Sequence, residues 1–256
     1  MDRFTIWRYL STDKFEKLIN DNGLYFSRAS DFDDKREGHY TLNKYYEELR
    51  ASNHDMVDSI NSAEEMTNRI RDNSSSTNYI SCWHKNEKEN IDMWDSYTKN
   101  SNEGVVIKSN IIQIIEMVPH SLSEVITPYD CVYGEKDDND DYTNNFQYKD
   151  IKYSYENEFR LVIDNHQLSI LTPFSGHLSL VTRIGDKLSH EVLGHGKNPK
   201  NDILKKGNGL IVKYNLNKII NEIRVKPKSS DEYMLYIKNK MKEAGLTCPL
   251  NHSELE

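Results

Sequence analysis

The segment Tyr153–Ile163, YSYENEFRLVI, carries the residue types best suited to chemistry. Read as a strand, its side chains alternate between two faces. Asn157, Phe159, Leu161 and Ile163 form a nearly apolar side that packs on a core. Glu156, Glu158, Arg160 and Val162 fall on the other side. Successive charges there stand about 7 Å apart, on a face that either meets solvent or lines a cleft. Arg160 beside Glu158 keeps that carboxylate ionised, which suits stabilisation of a cation better than acid catalysis. As a solvated ion-pair ladder the face would be worth little. A one-residue change of phase exchanges the faces, so the pattern leaves open which of Glu156 and Glu158 would act.

The N-terminal strand, Thr5–Tyr9, poses a related question. Ile6, Arg8 and Leu10 share a face. An arginine between two apolar residues either snorkels to water or is held by a carboxylate or phosphate. The aromatic groups Trp7/Tyr9, Tyr25/Phe26, Trp83 and Trp94/Tyr97 offer stacking surfaces for a base or nicotinamide, or else build the core. Other motifs fail. There is no P-loop and no G-x-G-x-x-G. His190–His195, HEVLGH, spaces its histidines five apart rather than four, so they do not share a helix face for zinc. His195 reads as a loop residue. Asp33, Asp34 and Glu37 read as a solvated turn rather than a cation site.

These residues need elements to hold them. Thr5–Tyr9 is expected as a strand. A helix should run from Asp13 to about Asn20, capped by Ser11 or Thr12 and ended by Gly23. Leu24–Ser27 is a second strand. Two polar helices, about Thr41–Arg50 and Asp55–Arg71, make a helical insertion over about 36–75, and Asp72–Thr77 is a loop. Then follow a strand Tyr79–Trp83, a helix Ile91–Tyr97, a strand Gly104–Lys108, and a helix Asn110–Val118. Strands are expected at Glu124–Tyr133, Glu158–Ile163, Leu178–Ile184, Leu210–Tyr214 and Glu222–Val225. An acidic loop occupies about 134–145, and Gly194–Gly209 is a loop. The last helix, Ser230–Ala244, should be capped by Ser229 with Glu232 and bury Tyr233, Tyr236/Ile237, Met241 and Ala244. Short strands mixed irregularly with helices argue for an α+β fold, in a single domain over 1–256.

Of 256 residues 36% are hydrophobic, and 10% are aromatic, too many for a disordered chain. No apolar run approaches the roughly 20 residues of a membrane span, and MDRFTIWRYL lacks the apolar stretch of a signal peptide. Cys82, Cys131 and Cys248 are scattered, which fits a reducing cytoplasm. The net charge of −8 argues against a bulk nucleic-acid coat protein. Yet His190–Gly245 holds twelve Lys/Arg against six Asp/Glu, a basic third able to meet phosphates.

Four blocks carry a family resemblance: Trp7-Arg8-Tyr9 with Gly23–Ser27 and Asp31–Asp34; Ile80–Trp83 with Asn90–Tyr97 and Glu103–Lys108; Tyr155–Val162; and Ile219–Gly245. In this order they resemble a widespread bacterial family of uncharacterised domains associated with phage-defence loci. Two places depart from its usual pattern, Phe32-Asp33-Asp34-Lys35 and Cys82-Trp83-His84. That family in turn is similar to the ADP-ribosyltransferase superfamily. The resemblance implies a split, mainly antiparallel β-core with peripheral helices, and NAD as co-substrate without a metal. By matching position it implies Arg8, then Ser27 or Ser81, then Glu158, with Glu156/Glu158 as an E-x-E pair. Under it Glu158, Glu156 and Arg8 are the catalytic candidates. Arg8, Tyr9, Tyr25, Phe26, Ser27, Ser81 and Trp83 would bind NAD, and Arg160, His84, Trp94, Tyr97 and Lys197 would meet the acceptor. It implies a toxin or defence effector in the cytoplasm, acting on RNA, single-stranded nucleic acid or protein, with an antitoxin or chaperone as partner and no membrane.

Two other readings compete. One is a non-catalytic sensor or partner-binding module whose charged strand is an interface. The other is a metal-dependent nuclease in which Asp33/Asp34 and Glu156/Glu158 bind Mg²⁺.

Overall fold

The computed structural model describes residues 4–32, 34, 42–98, 101–134, 146–165, 167–168, 181–184, 187–190 and 199–255. In chain order come β1 (Thr5–Leu10), α1 (Thr12–Asp21), β2 (Gly23–Arg28), α2 (Asn43–Ser52), α3 (Val57–Thr77) and β3 (Asn78–Lys85). Next are α4 (Ile91–Thr98), β4 (Val105–Asn110), α5 (Ile111–Glu116), β5 (Ile126–Asp130), β6 (Val132–Gly134), β7 (Tyr148–Asp150) and β8 (Glu158–Asp164). Then follow β9 (Val181–Ile184), β10 (Lys187–His190), β11 (Ile203–Lys206) and β12 (Gly209–Lys213). Last come α6 (Leu216–Ile219), β13 (Glu222–Val225), α7 (Asp231–Glu243) and β14 (Leu250–His252).

Ten strands form one sheet in the order β11-β12-β2-β3-β1-β4-β13-β14, with β8 on β3 and β5 on β8. Every ladder in it is antiparallel except β13–β14. The fold is therefore α+β around a mostly antiparallel sheet. The sheet forks at β3. One edge of β3 pairs with β8 from Asn78 to His84. On the opposite edge, β2 pairs with Tyr79 and Ile80, and β1 with His84 and Lys85. The two partners hold opposite ends of one edge and diverge. Ser81, Cys82 and Trp83 lie in the opening, about 10 Å of strand at 3.3 Å per residue.

Apolar alternation explains why the sheet is covered on both faces. Ile6, Leu10, Trp83, Phe159, Leu161 and Ile163 join the main core with residues of α1 and α7. On the other face Trp7, Tyr9 and Val106 pack against Met93 and Trp94 of α4. Ile80 and Val162 pack there on Ala29 and Phe146. Consequently β8 is buried from Glu158 to Ile163. Its charged side is not a solvated ladder.

Several boundaries differ from the sequence reading. Helix α1 ends on Asn22 in the left-handed region (φ 48°), and Gly23 instead opens β2. A Cβ at Gly23 would stand 2.4 Å from the Val212 carbonyl oxygen, so close strand approach is what needs glycine there. The expected loop Asp72–Thr77 continues α3. Ser230, not Ser229, caps α7, its hydroxyl accepting from the Tyr233 N–H at 3.1 Å. Tyr236 lies outside the α7 core stripe, 39% exposed, and Ala244 is exposed. Strand β11 lies within the expected loop Gly194–Gly209. The expected acidic loop falls almost wholly outside the described residues, as does part of the helical insertion.

Gly209 is a second close approach. A Cβ there would sit 2.4 Å from the Tyr25 ring and 2.5 Å from the Phe26 carbonyl oxygen. Gly209→Ala should push β12 off β2 at a cost of about 1–3 kcal/mol. Thermal unfolding should then show a midpoint lowered by about 2–4 °C for each kcal/mol.

Candidate active site

The site begins at a turn. Ile151–Glu156 forms a 3₁₀ helix, and Asn157 then takes a left-handed conformation, φ 36° and ψ 62°. Asparagine tolerates this region better than most residues. The turn is pinned to the end of β3. The Lys85 N–H donates to the Asn157 carbonyl at 2.8 Å, and Asn157 Nδ2 donates to the Lys85 carbonyl. Glu156 therefore does not belong to β8, contrary to the alternation read from Tyr153–Ile163. The chain reverses its local twist between the two glutamates, and both reach one ammonium.

That ammonium is Lys149 on β7. Its Nζ donates to Glu158 Oε2 at 3.0 Å and also to Glu156 Oε2. Glu158 Oε2 accepts as well from Arg160 Nη2 at 2.9 Å, and the Cys131 thiol lies 3.8 Å away. Arg160 spends a second donor on the Phe146 carbonyl at 3.0 Å. The Glu158 N–H donates to the Tyr133 hydroxyl at 2.7 Å. Arg160 is fully buried, and Glu158, Lys149 and Glu156 nearly so. Two carboxylates and two cations thus share a dry pocket, where a charge survives only if paired and hydrogen-bonded.

The two carboxylates differ. Burial alone would push Glu158 up, but Arg160 and Lys149, with a hydrogen bond from the Cys82 thiol, hold it down at about 2. Burial wins at Glu156, whose carboxyl is raised despite Lys149. Neighbouring carboxyls driven in opposite directions are the usual mark of separate proton roles. Across the ladder from Glu158 stands His84. Its Nδ1 is paired with the Glu156 carbonyl oxygen, so it carries the proton. Burial lowers its pKa and keeps the ring neutral, leaving Nε2 as a buried acceptor with no partner among the described residues. Tyr97 on α4 is pushed well up by burial and by nearby Cys82, Glu158 and Glu156, so its phenol stays protonated.

Arg8 occupies the fork. Nη1 donates to Ser81 Oγ at 3.0 Å and Nη2 to the Tyr25 carbonyl at 2.9 Å, bridging β3 and β2. Its guanidinium lies 5.5 Å from the Trp83 ring centroid. Among the described residues it is held by neutral oxygens rather than by a carboxylate. Burial lowers its pKa, and the Cys82 thiol and Tyr97 phenol act against that. Arg8 and Glu158 therefore share two electrostatic neighbours, Cys82 and Tyr97, although their strands meet β3 on opposite edges.

Of the remaining sequence candidates, Ser81 lines the fork, Ser27 is half-buried on β2, and Tyr25 presents a ring 37% exposed. Trp83 is buried beneath Arg8, with Nε1 lacking a partner among the described residues. Phe26 and Trp94 are fully buried. Phe26 sits in the main core, and Trp94 packs under Tyr9 and donates Nε1 to Glu89 at 3.0 Å. Neither ring can wall or stack a ligand without leaving its core. Tyr9 is buried too, its hydroxyl accepting from the Asn90 N–H at 2.8 Å. Lys197, His195, Asp33 and Glu37 lie outside the described residues. Sequence reasoning missed Lys149, Asn157, Cys131 and Tyr133. No spacing rule links them to Glu158; a lone lysine between an acidic run and a tyrosine-rich turn gives no signal. No group of three His, Cys, Asp or Glu suited to a metal occurs among the described residues.

No protein-family model matches this chain. No curated protein matches it either. Among solved structures, the chain is similar to Thermus sp. 2.9 DarT in complex with carba-NAD+, at 8% identity over 99% of this chain and 97% of that chain, with a TM-score of 0.35.

Proposed function

We propose that the protein is an NAD-dependent ADP-ribosyltransferase whose cleft is the fork between β1 and β2. The observation that carries this reading is the Glu158 carboxylate, buried on β8 across β3 from the fork and held by Arg160 at 2.9 Å and Lys149 at 3.0 Å. Breaking the bond between nicotinamide and ribose develops positive charge on the sugar, and a preorganised anion in a low-dielectric site stabilises that charge. Glu158 supplies the anion. The Arg8 fork suits a diphosphate, since two planar donors match phosphate oxygens. The unpartnered His84 Nε2, on the same face as Glu158, fits a ligand that brings a donor. Tyr25 is the exposed ring at the rim. Glu156, whose carboxyl can gain a proton more readily, would take one from the acceptor nucleophile.

The acceptor in this reading is RNA, single-stranded nucleic acid or protein, and the physiological role is that of a toxin or defence effector. The excess of Lys/Arg in His190–Gly245 supports a phosphate-bearing acceptor. Within that stretch Lys205 is exposed on the sheet edge, whereas Lys206 is committed to Asp21 at 2.6 Å.

Purified protein incubated with NAD and cell lysate, without added metal, should release nicotinamide and add one ADP-ribose to a macromolecule, both read by mass spectrometry. Nuclease or protease digestion of the labelled pool then identifies the acceptor class. Absence of release from folded protein, with and without lysate, would refute the transferase reading.

A further inference from the structure

We propose that Lys149 is a positioning residue that allocates the site's proton: by bonding both glutamates it keeps Glu156 charged and ready to act as a base, while Glu158 keeps its own charge on Arg160. The geometry is asymmetric. Glu158 has two cations within 3.0 Å, Arg160 and Lys149. Among the described residues Glu156 has one cation in ion-pair contact, Lys149. The ammonium is nearly buried, and among the described residues it also lies over the face of Tyr153, 4.9 Å away. It therefore has little water to turn to and remains between the carboxylates.

Arg160 and a hydrogen bond from Tyr155 also favour the charged form of Glu156, but the other influences favour a proton. Burial does so directly, and the Glu158 charge on β8 adds to it. Among the described residues Arg160 on β8 is a second cation acting on Glu156, but it is bonded to Glu158. From α4, Tyr97 is a neutral phenol. On the same turn, Tyr155 is held protonated by burial and by Glu156 itself. From β3, His84 is neutral and spends its Nδ1 on the Glu156 carbonyl. Without Lys149, Glu156 would bind a proton more readily and would be a poorer acceptor of one from a nucleophile. The consequence for turnover rests on the transferase reading; the allocation of the proton does not.

The test needs no NAD. The protein is labelled at the glutamate side-chain carboxyl carbons with ¹³C, and the Glu156 resonance is assigned by its loss in Glu156→Gln. Its titration is then followed in wild type, Lys149→Met and Lys149→Arg. In Lys149→Met the midpoint should rise by at least one pH unit, a tenfold change in proton affinity. In Lys149→Arg it should return toward the wild-type value. An unchanged midpoint in folded Lys149→Met overturns the proposal. Should that variant fail to fold, the wild-type Nζ resonance decides, using ¹⁵N-lysine labelling. It must shift at the pH where Glu156 titrates, and an Nζ signal blind to that titration overturns the proposal equally. Where NAD is cleaved, the acid limb of the kcat/KM profile should move upward with the carboxyl midpoint in Lys149→Met. A limb that stays put would remove Lys149 from the mechanism. A moved midpoint in a protein that never cleaves NAD would uphold the allocation and reject the transferase reading.

Discussion

Glu158→Gln should lower nicotinamide release from NAD by about 10²–10³-fold, the loss that follows removal of one preorganised charge-stabilising group. The amide keeps the shape of the side chain and removes its charge. It also faces Arg160 at 2.9 Å and Lys149 at 3.0 Å, both buried, with Glu156 as the other counter-charge among the described residues. Leaving a buried ion without its partner costs roughly 3–5 kcal/mol. The variant should therefore be less stable as well as inactive, and the two effects must be separated. Adding Arg160→Met to Glu158→Gln removes the cation that lost its carboxylate partner. The double variant should recover part of the lost stability in urea unfolding and recover none of the activity. Retention of more than a tenth of wild-type release by folded Glu158→Gln would remove Glu158 from the catalytic role.

The sequence carried the skeleton of this arrangement but not its closure. Apolar alternation made Phe159, Leu161 and Ile163 legible as a core face, and they are buried there. The same rule misled at Glu156, because alternation assumes an unbroken strand. The left-handed Asn157 breaks it, and a single conformation of one asparagine leaves no periodic trace. The burial of Arg160 was also hidden. A strand pattern shows which side chains share a face, not whether a second layer covers it, and that layer is supplied by Phe146 and Ala29 from distant segments. Arg8 stood out because it interrupts an apolar face, yet its partners, Ser81 and the Tyr25 carbonyl, come from strands 73 and 17 residues away. The aromatics stayed ambiguous for a related reason. Phe26, Trp83 and Trp94 are large enough to stack a ligand, and the same size makes them the cheapest way to fill a core.

Acid should weaken the fold through Glu158 in a pH window opposite to that of Glu156. Glu158 is held at about 2 rather than its ordinary 4.5. A folded pKa below the unfolded one means that the unfolded state binds the proton first. Its stabilisation, about 3 kcal/mol, is therefore fully present above pH 4.5 and lost as pH falls toward 2. Glu156 is raised, so its contribution is present below 4.5 and lost as pH rises through its folded pKa. In urea unfolding, the stability difference between wild type and Glu158→Gln should narrow by about 3 kcal/mol between pH 5 and pH 2. A difference constant across that range would mean that Glu158 is not held ionised by its two cations. The same inequality separates the two glutamates in function. Glu158 keeps its charge until the pH approaches about 2. An acid limb in the rate profile must then come from another group, and Glu156 is the carboxyl placed to produce it.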